Sequence, residues 1–130
     1  MTDLIEVKTA DLAGEALHWA VAIAENLQPF VQPPEYGNPH RVFLPKKYYI
    51  GERYTPSTDW SQGGPLIEKH NVQLSFNGHR SGGFCAYVCN DNGVEYRPSG
   101  GGRTHLVAAC RAVVASKFPN VVKVPKELMP

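Results

Sequence analysis

Disulfide chemistry has little to work with in this 130-residue chain. It has three cysteines, Cys85, Cys89 and Cys110, an odd number without a framework spacing. That argues against a disulfide-stapled secreted domain. Charge of one sign is missing too. Thirteen basic against twelve acidic side chains leave a net charge of +1, which excludes a chain-wide polybasic binder of nucleic acid or membrane. No apolar run approaches a transmembrane span. The opening MTDLIEVKTADL carries acids early and has no apolar secretion core. The expectation is a cytoplasmic protein that does not touch membrane. Phosphate-binding fingerprints are absent as well, since neither GxxxxGK[ST] nor GxGxxG occurs. His70, His79 and His105 are scattered and Cys85 and Cys89 have no second pair, so no metal site and no cofactor is expected. Glu95, Asp91 and Asp59 lack a spacing that would suggest a paired-carboxylate hydrolase.

What is present is an ordinary soluble composition, 42% hydrophobic and 19% charged, enough for one core and one domain over residues 1–130. LIEVK (Leu4–Lys8) reads as a short strand. Thr9 is the expected N-cap of a helix running to about Leu27, with apolar residues at Leu12, Ala16, Trp19, Ala20, Ile23 and Leu27. A second stripe at Ala13, Leu17, Val21 and Ala24 leaves Asp11, Glu15, His18, Ala22 and Glu25 as a narrow wet strip. A helix so apolar is buried on most sides, and a second copy of the chain is one way to cover it. That is the basis for expecting a homo-oligomer.

Gln28–Pro65 is rich in proline and glycine and reads as long ordered loops around one strand, RVFL. LIEKHN (Leu66–Asn71) reads as a helical turn. VQLSFN, GFCAYVC and VEYR form an antiparallel meander, with turns at Asn77–Gly78 and Asn90–Gly93. A second helix spans about Thr104–Lys117 and stops before Pro119. The fold class is α+β: two helices flanking a small antiparallel sheet, with long Pro/Gly-rich loops.

The stretch RPSGGGRTHLVAACR carries the first candidate site. Gly101 and Gly102 permit close backbone approach, and the helix that follows offers N–H groups and a positive dipole end. Arg103 beside that end is unfavourable by roughly 0.3–1 kcal/mol unless a negative group answers it. Arg97, Arg103, Thr104 and Arg111 are therefore expected to converge on a phosphate-bearing ligand. In LPKKYYIGERYTPSTDW, the cations Lys46, Lys47 and Arg53 alternate with Tyr48, Tyr49, Tyr54 and Trp60. Rings and cations together suit a nucleobase and its phosphates. Tyr54, Asp59 and Trp60 complete the candidate ligand-binding set. The same rings also serve as core plugs in a loop-rich protein. No catalytic set stands out; a Cys–His pair has no supporting pattern.

Three blocks resemble the NinX-like family of small phage proteins: KTADLAGEALHWAVA (Lys8–Ala22), PSTDWSQGGP (Pro56–Pro65) and THLVAACRAVVASK (Thr104–Lys117). The resemblance implies a phage or prophage origin and expression in the cytoplasm of the infected bacterial host. It implies no activity. SGGGR departs from the smaller glycine turn expected before the last helix, which makes Arg103 a feature of this chain. By analogy of size and origin, the functional expectation is a phage anti-defence binding protein. It would sequester a nucleotide-derived immune signal, a cyclic ADP-ribose isomer or a cyclic oligonucleotide, without turnover. An accessory protein that binds a host protein or nucleic acid is the alternative, and an enzyme of phosphodiesterase type stays open.

Overall fold

The first and last strands pair with each other. β1 (Leu4–Lys8) pairs antiparallel with β8 (Val121–Pro125), Leu4 opposite Pro125 and Lys8 opposite Val121. Val7, Val122 and Val124 turn inward and are buried, as period-two alternation requires. The computed structural model describes residues 3–34, 36–46, 51–76, 84–89 and 95–129, with backbone only for Phe76 and residues 95–100. Lys47, Tyr48, Tyr49 and the two expected turns, Asn77–Gly78 and Asn90–Gly93, lie outside the described residues, as does the side chain of Arg97.

Thr9 does not cap a helix. Its hydroxyl donates to the Phe118 carbonyl at 2.6 Å, and Thr9–Asp11 form a 3-10 turn. The first helix, α1, spans Gly14–Ala24, shorter at both ends than the sequence suggests. Gly14 takes φ +56°, a left-handed conformation open to glycine. At the other end Asn26 takes φ 59°, Asn26 N–H donates to the Ile23 carbonyl and Leu27 N–H to the Ala22 carbonyl. That closes the helix as a Schellman motif before Leu27 can join it.

β2 (Phe30–Gln32), β3 (Arg41–Leu44) and β4 (Glu52–Arg53) make one small antiparallel sheet in that order. β5 (Val72–Phe76), β6 (Phe84–Cys89) and β7 (Glu95–Gly102) make a second, the expected meander, with an irregular step at Tyr87/Val88. Between the sheets runs α2 (Trp60–Lys69), where a polar loop was expected. α3 (His105–Lys117) packs on β7, β6, α1 and α2. Among the described residues the protein is thus α+β with three helices and three small antiparallel sheets. The expected two helices and one sheet leave out α2, and part of the expected loop region forms the β2–β3–β4 sheet.

WSQGGPLIEK makes a helix against its own propensities, since Gly63, Gly64 and Pro65 all disfavour one. Tertiary ties decide it. The Asp59 carboxylate caps the start by accepting from Ser61 N–H at 2.9 Å. Gln62 reaches back, its oxygen accepting from Thr55 N–H at 2.6 Å and its amide donating to the Arg53 carbonyl at 2.7 Å. Gly63 is required by contact: a Cβ there would run into the Pro56 carbonyl and come within 2.7 Å of Leu106 Cδ2. Gly64 has open space around it, with Trp60 as far as 4.0 Å.

One core cluster joins Leu12, Leu17, Val21, Val42, Tyr54, Leu66, Val113, Val114, Val124 and Leu128, residues from nearly the whole length of the chain. α1 lies inside it, packed on α3, β8 and β3, so its apolar surface is covered mostly within one copy. Gly63→Ala is expected to destabilise the protein by about 1–3 kcal/mol through overpacking. Gly64→Ala should gain about 0.4–1 kcal/mol. Urea denaturation of the two variants checks this contrast.

Candidate functional site

Two helix starts face each other across a pocket. α2 begins at Trp60 and α3 at His105, and the space between them, about 510 Å³, is lined by Ser57, Thr58, Trp60, Phe84, Arg103, Thr104, His105 and Leu106. Trp60 is 57% exposed, large for an indole that contributes nothing to the core. His105 stacks obliquely on Phe84 with ring centroids 4.1 Å apart. Thr104 caps α3, its hydroxyl accepting from Val107 N–H at 3.1 Å. The N–H groups of His105 and Leu106, ahead of it in the first turn, have no intrahelical acceptor. No acidic residue occupies that turn. Among the described residues no carboxylate pairs with Arg103, which is exposed. The electrostatic oddity of an arginine at a helix N-terminus therefore survives folding.

Three of the residues singled out from sequence meet here: Trp60, Arg103 and Thr104. Asp59 sits next to Trp60 but is occupied, accepting from Ser61 N–H and Oγ, bonds that hold its carboxyl below the usual range. Tyr54 does not reach the pocket. It is buried in the core, and burial together with the nearby Glu25 pushes its phenol well above the ordinary value. Its role is the core plug, not the stacking surface.

The glycines and Arg111 also have other work. Gly101 and Gly102 belong to β7 and are buried. A Cβ on Gly102 would meet Val107 Cγ1 at 2.7 Å and Ala108 N at 3.0 Å, so the residue is small to let α3 lie on the strand. Arg111 donates through Nε to the Leu12 carbonyl at 2.9 Å and through Nη1 to the Gly101 carbonyl at 2.7 Å. It ties α3 to the lead-in of α1 and to β7, and it is not among the pocket-lining residues. The described residues therefore do not bring Arg103 and Arg111 together on one anion.

Beneath the pocket lies a polar chain that sequence reading did not find. His18, expected on the wet strip of α1, is 4% exposed, and its Nε2 lies 2.6 Å from the Oγ of Ser57, itself 5% exposed. His18 Nδ1 faces Glu15 Oε2 at 3.4 Å, a charge contact too long and misaligned for a hydrogen bond. Glu15 accepts from both Arg53 terminal nitrogens, at 2.7 and 2.8 Å, and from Val42 N–H at 2.9 Å. Burial alone would raise its pKa. His18, the Arg53 fork and the Val42 N–H outweigh burial and bring it from 4.5 to about 2. At the far end of α1, Glu25 takes Lys69 Nζ at 2.9 Å and His70 Nε2 at 2.6 Å, fastening α1 to the end of α2. The i,i+3 spacing of Glu15 and His18 was visible in the sequence. That Ser57 and Arg53 would close over them was not.

Fold and site together define a small α+β protein with an open, aromatic-walled pocket at the meeting of two helix N-termini. Residues 8–117 match the family described as Bacteriophage P22, NinX, and the chain belongs to that family. No curated protein matches it. Among the described residues no helix is long and apolar enough to cross a membrane.

Because the folded Glu15 pKa lies below its unfolded value, the carboxylate contributes stability above about pH 4.5 that is lost as the pH falls toward 2. Glu25, also lowered, adds to the same acid-side loss. Glu15→Gln should flatten, without abolishing, the decline of urea-measured stability between pH 5 and pH 2 relative to the parent, a window set by that shift.

Proposed function

We propose that this NinX-family protein captures a small, phosphate-bearing ligand in the pocket between α2 and α3. Its finer form is a phage anti-defence role: sequestering a nucleotide-derived immune signal, a cyclic ADP-ribose isomer or a cyclic oligonucleotide. Binding alone suffices for sequestration. The observation that carries the reading is Arg103, exposed and unanswered by any carboxylate among the described residues, at the rim of a pocket walled by Trp60, Phe84 and His105. A phosphate beside Arg103 would meet the guanidinium and the positive end of α3 at once. A base or other flat ring would have the Trp60 face to stack on.

The sequence-based ligand set narrows in this reading. Arg103, Thr104 and Trp60 are retained, and Ser57, Thr58, Phe84 and His105 join them. Tyr54, Asp59, Gly101, Gly102 and Arg111 act as supports. The host compartment remains bacterial cytoplasm, as expected of a phage product that intercepts a soluble signal.

A protein partner is the second reading, favoured by a separate groove of about 390 Å³ lined by Leu4, Trp19, Ile23, Phe118 and Val121. Leu4 and Val121 are 53% and 42% exposed there. A second copy of the chain or a host protein would fit that surface. Light scattering separates the two: a dimer that Val121→Asp dissociates supports a second copy, and a monomer leaves the host protein. Nucleic acid is disfavoured by the net charge of +1.

Isothermal calorimetry with ADP-ribose, its cyclic isomers and cyclic di- and trinucleotides tests the main reading. At least one is expected to bind, with Arg103→Ala weakening it by about tenfold or more and leaving the melting temperature of the free protein unchanged. If none binds, or if the Arg103 variant binds equally well, the pocket is not an anion site.

A further inference from the structure

We propose that Ser57 is a nucleophile, activated by His18 with Glu15 behind it, and that the pocket acts on a small carboxylic ester bearing a negative group. The proposal shares the pocket and Ser57 with the binding reading, and rests on that reading for the negative group, but it adds a reaction and two residues, His18 and Glu15, that binding does not use.

Ser57 Oγ and His18 Nε2 stand 2.6 Å apart, within proton-transfer reach. An ionised Glu15 facing Nδ1 favours the tautomer with the proton on Nδ1. Nε2 then carries the lone pair, and the Ser57 hydroxyl donates to it. Glu15 is a positioning residue: the Arg53 fork and the Val42 N–H hold its carboxylate in place. The order is nucleophile, base and carboxylate, as in a serine triad whatever the fold or chain order, with the carboxylate acting on the ring through a 3.4 Å electrostatic contact instead of a hydrogen bond. α1 supplies two members one turn apart, and the segment leading into α2 supplies the third.

Locking the Ser57 segment onto α1 would by itself explain a buried Ser–His pair. What goes further is the location, because Ser57 also lines the pocket, next to Arg103 and the first turn of α3. The N–H groups of His105 and Leu106 at that turn are suitably charged for a carbonyl oxygen that becomes negative. Arg103 would hold a carboxylate or phosphate elsewhere on the same substrate.

The chemistry balances with water as the only co-reactant. Ser57 Oγ bonds to the ester carbonyl carbon as its proton passes to His18 Nε2, and the carbonyl π pair moves onto oxygen. The pair returns, the bond from carbon to the alkoxy oxygen breaks, and the departing alcohol takes the proton from Nε2. Water then attacks the acyl-Ser57 carbon by the same route, releasing the acid and restoring the hydroxyl. Nothing is oxidised or reduced.

Alkyl fluorophosphonates trap such serines: Oγ bonds to phosphorus, its proton passes to the histidine, and fluoride leaves to solvent. The folded protein, incubated with one at neutral pH, is expected to gain a single adduct that peptide sequencing maps to Ser57. Urea-denatured protein and the Ser57→Ala variant should gain none. A folded protein that stays unlabelled at Ser57, or labels there equally well when denatured, overturns the proposal. Mapping on the parent protein needs no variant, so a Ser57→Ala chain that fails to fold does not blunt the test. Calorimetry with the ADP-ribose isomers on the same preparation keeps the two readings apart. Ligand binding without labelling sinks the nucleophile alone; labelling without nucleotide binding sinks the nucleotide reading alone.

Discussion

One carboxylate holds four separate parts of this chain in register. Glu15 on α1 accepts from the β3 backbone at Val42 and from the β4 side chain of Arg53, and it faces His18, which holds Ser57 ahead of α2. A partly buried carboxylate is costly unless its oxygens are satisfied, and this one has three N–H donors. Remove it and Arg53 loses its partner, Val42 N–H loses its acceptor and His18 loses the charge that fixes its ring. The helix would then rest on the β3–β4 pair mainly through apolar packing, while the strand pairing and the His18–Ser57 contact remain. Gln62 extends the same logic by fixing α2 to the backbone of Thr55 and Arg53.

The pocket is a product of that frame. Ser57 and Trp60 are placed by the segment that Glu15 and His18 anchor, whereas Arg103, Thr104 and His105 are placed by β7 and α3. The two sides meet because Gly63 lets α2 press on Leu106 and Gly102 lets α3 press on its strand. Arg111 secures the second side through two backbone carbonyls. Glycines and an arginine that looked like ligand contacts are the joinery that leaves Arg103 exposed at the rim.

How much of this was legible varies with the physics behind each element. β5 could be read from its alternation and β1, β3 and β6 from short apolar, β-rich runs, and α3 could be read from Thr104 to Lys117 because its cap and its stopping proline are local. α1 was visible as a helix, but its ends were not, since Gly14 and Asn26 act through positive φ and Thr9 is diverted to Phe118. α2 was hidden because GGP forbids a helix on propensity, and only contacts with Pro56, Thr55 and Leu106 override that. Within the pocket lining, Arg103 and Trp60 drew notice because each is out of place locally, and Thr104 because it stands at the expected start of α3. Arg111 and Tyr54 lie outside the pocket lining, a placement that a long side chain near a motif does not reveal in the sequence. The Ser57–His18 contact joins residues 39 apart, and no spacing rule reaches that far.

The proposed role depends on a ligand entering the space between the starts of α2 and α3. A two-dimensional ¹H–¹⁵N spectrum recorded while ADP-ribose is added tests that most directly, because it reports position without presuming a mechanism. Saturable shifts are expected at the amides of His105 and Leu106 and at the indole N–H of Trp60, with the indole of Trp19 unmoved. Shifts centred on Trp19 and Phe118, or a spectrum that does not change, would contradict it.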